Sequence, residues 1–182
     1  PTDEVGCFEM TGEGIFEVSD PSQLFVSGAT TPVSGTCITV AVEGRRALIA
    51  EIQALVVKSS SPQPRRVTNG VDSSRVAMLL AVLERRAGIS LSDKDVYVST
   101  VGGMKIIEPA ADLAIAIAIA SAVSDKPVAK SVAAFGEISL SGEIRGVSNP
   151  AQRSNEATRL GHKAIVDSSS GQLKVALAKA LG

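Results

Sequence analysis

No other stretch of this chain constrains its fold as tightly as Gly102 to Ser124, which reads Gly-Gly-Met-Lys-Ile-Ile-Glu-Pro-Ala-Ala-Asp and then runs into alternating Ala and Ile. From Leu113 to Ala120 there is no polar side chain, so no face suits water and the segment must be buried on nearly all sides. Period-two alternation fits a strand, but both alternating residues are apolar and the run outlasts an ordinary strand, which points to a buried helix. Pro109 supports a helix start, because its fixed φ and missing N–H suit the first helical position. Asp112 in the first turn meets the positive end of the helix dipole. The uncharged run falls short of the roughly 18 to 20 residues that span a bilayer. The expectation is a core helix emerging from a Gly-rich loop, a place suited to catalysis or anion binding.

A chain of 182 residues corresponds to one domain, or one domain plus a tail. Aromatics make up 3% of it and Trp is absent, against a hydrophobic fraction of 45%. The core must therefore be built from Val, Ile, Leu and Ala, which suits an α/β layer structure. A formal charge of -1 argues against nucleic-acid binding by the chain as a whole, although charge can still be concentrated locally. Cys7 and Cys37 lie in apolar surroundings without CxxC spacing. They read as buried free thiols of a cytoplasmic protein. The opening Pro-Thr-Asp-Glu, without Met, is expected of a piece cut from a longer chain.

In order, Val5–Met10 and Gly14–Val18 read as two short strands, Asp20-Pro21-Ser22 as a brief helical turn before Leu24-Phe-Val26, and Ser27–Ser34 as a linker. Cys37–Val42 and Ala47–Val57 form a hairpin through Glu43-Gly44-Arg45-Arg46. A short strand at Arg65–Asn69 precedes a helix capped by Asp72, with Val76, Leu79, Leu80 and Leu83 on its apolar face and Gly88 as its stop. On that helix Arg75 and Arg86 fall within about 20° of each other and roughly 16 Å apart along the axis, forming a ridge beside the buried face. Asp95–Val101 is a strand into the Gly102-Gly103 loop; Val132–Leu140 is a strand turning through Ser141-Gly142 into Glu143–Val147. Asn149, Pro150 and Gln152 make a capping-box start for a helix ended by Gly161. Lys163–Val166 is the last strand and Leu173–Leu181 the last helix. Strand–helix alternation from Asp95 onward implies an α/β domain.

The order of strand, Gly-rich turn, Pro-Ala-Ala-Asp helix start, strand, then Gly136-Glu-Ile-Ser-Leu-Ser-Gly-Glu-Ile-Arg145 and a helix resembles the proteolytic domain of Lon. It is similar to the form in which that domain occurs in the C-terminal part of the RadA (Sms) family of bacterial DNA repair ATPases. The resemblance covers residues 34–182 and implies a Lon-like α/β fold of mixed sheets with packed helices. Residues 1–33 resemble the end of a RecA-like ATPase core and its linker, placing Pro1 just after that family's Lys-Asn-Arg-Phe-Gly motif.

Lon proteases use a Ser-Lys dyad, in which a lysine with a depressed pKa takes the serine's proton. By the resemblance, the serine's position is Ala110 and the lysine's Ala151, and two methyl groups cannot exchange a proton. A relocated dyad of Lys105 with Ser99 or Ser121 lacks a serine at the helix start, where N–H groups could form an oxyanion hole. His162, the one histidine, follows a helix-ending Gly and reads as a surface turn residue. There is no GxxxxGK[ST] and no Cys/His set, so neither ATP nor zinc is expected here. By the resemblance, ATP, Mg and a zinc finger belong to the longer protein. The family further implies a homo-hexameric ring that contacts single-stranded or branched DNA during branch migration, and a recombinase filament as a partner. Candidate phosphate contacts are Arg65, Arg66, Arg75, Arg86, Lys105 and Arg153. Two other readings stay open: a purely structural oligomerisation scaffold, and a serine peptidase with a relocated dyad.

Overall fold

The computed structural model describes residues 8–11, 14–17, 24–27 and 31–182. A small hairpin, β1 (Phe8–Thr11) and β2 (Gly14–Glu17), pairs antiparallel. The expected strands there extend further, and Cys7 with the Asp20-Pro21-Ser22 turn lies outside the described residues.

The main sheet has six strands in the order β10-β7-β3-β4-β6-β5. Its centre is the hairpin of β3 (Thr36–Glu43) and β4 (Arg46–Lys58), in register from Thr36 opposite Gln53 to Glu43 opposite Arg46. Both strands bury side chains on two faces, so each reads as a continuous apolar run rather than an alternation. β6 (Lys94–Thr100) adds antiparallel to β4, and β5 (Arg66–Asn69) adds parallel to β6 at the edge. That parallel pair needs a crossover, which is α1 (Ser73–Ala87). Asp72 accepts from the Ser74 N–H at 3.0 Å and Gly88 closes the helix in the left-handed region, as the capping pattern predicts.

On the other side of β3 stand β7 (Val132–Ala134) and β10 (Ala164–Val166), both parallel. Here the expected strand Val132–Leu140 is corrected. β7 stops at Ala134, and the chain resumes pairing only as a two-residue hairpin arm, β8 (Glu137–Ile138), against β9 (Ile144–Arg145). Gly136 makes the break, donating its N–H to Ala110 O at 2.8 Å and accepting from Leu113 N at 3.1 Å. A Cβ there would meet Ile144 Cγ2 at 2.6 Å.

The Ala/Ile run is a helix, α2 (Asp112–Ser124), entered through a single 3-10 turn at Pro109–Ala111. Every residue from Asp112 to Ser121 is buried. Burying each Leu or Ile contributes about 1.5–3 kcal/mol, so four of them along one helix outweigh its modest Ile propensity. α1, α2 and α4 (Leu173–Leu181) share one core with the sheet. α3 (Pro150–Arg159) covers the opposite face with Ala157 against Ile38, Val40, Ala47 and Ile49. The expected capping box at its start is also corrected. Asn149 sits at φ 55 with no side-chain bond to the helix backbone, and its Nδ2 donates to Gln152 Oε1 instead. Among the described residues no helix is long and apolar enough to cross a membrane.

Candidate functional site

The head of α2 draws together three elements that are far apart in sequence. Ala110, at the centre of the 3-10 turn, is 4% exposed, and an acid stands two residues to either side of it, each held by an arginine from a different helix. On one side Glu108 is bound by Arg153 of α3, Nη1 to Oε1 at 2.7 Å and Nη2 to Oε2 at 3.1 Å. Arg153 also donates from Nε to Ser148 O at 2.8 Å, from Nη1 to Val40 O at 2.7 Å and from Nη2 to Ser148 Oγ at 3.4 Å. A guanidinium has five N–H donors, and the contacts here account for all five. Such complete partnering is what lets an arginine sit fully buried.

On the other side Asp112 is bound by Arg75 of α1. Arg75 Nε reaches Oδ1 at 3.2 Å and Nη2 contacts Oδ2, while the Ile138 N–H donates to Oδ2 at 3.0 Å. Burial pushes the Asp112 carboxyl above its ordinary value, against the pull of Arg75 and the Ile138 N–H. The hydrogen bond to Asp112 holds Arg75 above its own. The two shifts oppose each other on the ionised state, and three N–H groups on one carboxylate decide for the charged pair.

Of the six basic residues singled out in the sequence, Arg153 is corrected from a solvent-facing cation to a buried one, 1% exposed. Arg75 and Arg86 do share a side of α1, Arg75 half-buried and Arg86 exposed. Arg75 reaches Ile138 through Asp112, and Arg86 donates from Nε to Leu140 O at 3.3 Å, so both bind the β8–β9 hairpin. Gly142, at φ +87, is needed there because a Cβ would lie 3.1 Å from that of Arg86. Arg66 is exposed, with its guanidinium on the carbonyls of Lys94 and, at 3.0 Å, Leu91. Arg65 and Lys105 are exposed. The structure thus gathers Arg65 and Arg66 at the β5 edge, sets Lys105 in the loop before α2, leaves Arg86 exposed beside Leu140, and uses Arg75 and Arg153 as joints.

Ala151 is exposed at the start of α3, in the same turn that delivers Arg153. Lys105 is exposed, whereas Ser121 is buried, accepting from the Gly35 N–H at 2.9 Å. Cys37 is fully buried and its thiol is pushed up to about 12, by desolvation first and then by Glu51. No group of three or more His, Cys, Asp and Glu is placed to hold a metal among the described residues.

Two features escaped the sequence reading. Glu108 carried no signal beyond preceding a proline. The second is a concave surface of about 690 Å³ over the outer face of β4, β6 and β5, lined by Val33, Leu55, Val67, Asn69 and Tyr97 among others. Leu55 is 60% exposed and Val67 48%, because α3 covers this face only at β3 and the start of β4.

The family model described as subunit ChlI of Mg-chelatase matches residues 73–170. DNA repair protein RadA of Mycobacterium tuberculosis is 46% identical over 159 residues, 87% of this chain and 33% of that protein. The proteins of the same name from Rickettsia felis and Streptococcus pyogenes are 47% identical over 90% of the chain and 45% identical over 88%. These alignments cover 36% and 35% of the two proteins. The chain spans about a third of the length of the curated relatives it matches.

Proposed function

Because the chain belongs to the family that the ChlI model describes and is homologous to DNA repair protein RadA over about 90% of its length, we propose that it serves a RadA-type repair protein as a Lon-like domain without proteolytic activity. In this reading residues 34–182 form the Lon-like unit, and residues 1–33 are the end of an ATPase core with its linker. The unit assembles a cytoplasmic homo-hexameric ring and contacts DNA while recombination intermediates are processed and branches migrate. ATP, Mg and zinc act in other parts of the longer protein, and a recombinase filament is a partner of the whole.

One observation carries the loss of proteolysis. At the head of the buried helix the position for a nucleophile is a methyl group, flanked by the Glu108–Arg153 and Asp112–Arg75 pairs. A hydroxyl placed at Ala110 would still lack a neutral amine to deprotonate it. DNA contact is supported by the exposure of Arg65, Arg66 and Lys105, which suits sequence-independent phosphate binding. Assembly is supported by the exposed aliphatic side chains Leu55, Val57 and Val67 on one sheet face.

The test is binding of labelled single-stranded and forked DNA at low and moderate salt, with sedimentation to report assembly. The expected result is binding that weakens steeply with salt, by counterion release, and falls further in Arg65→Ala/Arg66→Ala/Lys105→Ala. A hexameric sample that binds no DNA at low salt would leave only a scaffold. Labelling by a serine-reactive probe would overturn the non-proteolytic part.

A further inference from the structure

A short piece of the chain that precedes the main sheet lies on the loop leading to α2. Leu24 and Phe25 sit over Gly102, where a Cβ would come within 2.2 Å of Leu24 O and 3.1 Å of Phe25 Cδ1. Phe25 packs against the core that α1, α2 and α4 share, and Val26 against the cluster under α3. The Ser27 N–H donates to Glu51 Oε1 at 3.3 Å. Glu51 is buried, and its other carboxylate oxygen accepts from Gln53 Nε2 at 2.7 Å. Its backbone carbonyl accepts from the Val101 N–H at 3.3 Å. Residues 24–27 therefore touch this loop directly at Gly102 and, through Glu51, at Val101. The far side of the loop is tied to the domain, since the Ile106 N–H donates to Gly70 O at 2.7 Å and the Thr100 hydroxyl to Met104 O. Downstream, Gly35 pins the chain by donating to Ser121 Oγ at 2.9 Å and accepting from the Ala54 N–H at 2.6 Å. A pull from the N-terminal side thus meets residues 24–27 before it meets the sheet.

We propose that Leu24–Ser27 is a strap that couples the chain preceding the domain to the Gly102–Lys105 loop. Seated, it holds the tip of that loop and covers the Glu51 carboxylate. Lifted, it frees Val101 to Gly103 and leaves a buried anion one donor short, a cost that favours the seated state. Its residues are half-buried, whereas α2 is wholly buried from Asp112 to Ser121, and less buried elements open at lower free energy. The strap can therefore lift while the core stays folded. The consequence for Lys105, which the loop carries, rests on the DNA reading; the strap itself does not.

The experiment reads amide hydrogen exchange in the whole 182-residue chain and in Gly102→Ala, Gly103→Ala and Phe25→Ala. Gly102 and Gly103 lie at φ +74 and +75, and a Cβ on Gly103 meets nothing within 4 Å. The two alanines thus share the same backbone strain, and only one of them meets the strap. The expected result is Ser27 exchange at least about 10-fold faster in Gly102→Ala than in Gly103→Ala. Phe25→Ala leaves the loop sequence untouched, yet Ser27 and Val101 must both exchange at least about 10-fold faster than in the unaltered chain, with Ile117 in α2 unchanged. A smaller difference between the glycine variants overturns the proposal, as does a Phe25→Ala chain in which Val101 keeps its protection. Should Gly102→Ala not fold, Phe25→Ala decides alone. A chain that shows this coupling and binds no DNA would sink the DNA reading and leave the strap standing.

Discussion

The two arginine–carboxylate pairs that flank Ala110 are built in opposite senses. In one the cation is buried and the anion reaches solvent, with Arg153 at 1% and Glu108 at 29% side-chain exposure. In the other the anion is buried and the cation reaches solvent, with Asp112 at 2% and Arg75 at 25%. Both hold the same turn, yet they fail differently when the outer partner is removed. An orphaned guanidinium cannot lose its proton, whereas an orphaned carboxylic acid can gain one.

Glu108→Ala therefore carries the largest expected effect, a loss of about 3–5 kcal/mol in denaturant unfolding at neutral pH. A neutral-pH cost smaller than that of Arg75→Ala would break the comparison. Arg75→Ala is expected to cost less, about 1–3 kcal/mol at neutral pH, because the arginine it removes is itself a quarter exposed. With the arginine gone, burial is opposed only by the Ile138 N–H, and the folded value of the Asp112 carboxyl rises further above the unfolded one. Stability is then fully present below the unfolded value of about 3.9 and lost as pH rises through the raised folded value. Urea titrations of the two variants across that window read the contrast directly.

Cys37 gives the smallest effect at neutral pH and the most separable one. Its thiol is held up at about 12 in the folded chain against about 8.5 unfolded. Its contribution is complete below about pH 8.5 and falls by about 1.4 kcal/mol per pH unit above it. Cys37→Ala should lose that slope and leave the acid limb untouched, which sharpens the Arg75 measurement. An identical alkaline slope in Cys37→Ala would place the titration elsewhere.

Elements whose cause is local were legible in the sequence. The β3–β4 hairpin, the α1 caps at Asp72 and Gly88, the buried α2 and the final strand and helix all appear where propensity and periodicity put them. Two local patterns misled. Val132–Leu140 looks like one strand because its residues are apolar throughout, but Gly136 bends away to serve Ala110 and Leu113. Asn149 looks like a cap, but its backbone lies in the left-handed region and its side chain makes no bond to the helix backbone.

The candidate site was legible only in part. Ala110 and the Gly-rich loop could be placed by pattern, and exposure of Arg65, Arg66 and Lys105 follows from their position in edge and loop segments. Arg153 and Glu108 could not, because they lie 45 residues apart and no one-dimensional signal marks a charge for burial.

By itself, then, the sequence determined that a wholly apolar helix must form the centre, since Leu113 to Ala120 has no face that water would accept. It also put alanines at positions 110 and 151, where the resemblance to Lon would place a dyad. Only the tertiary structure decided which arginines are joints and which meet solvent. A cation's fate depends on whether the fold brings a carboxylate and enough carbonyls within about 3 Å of it, and that proximity is created by packing rather than by neighbours in the chain.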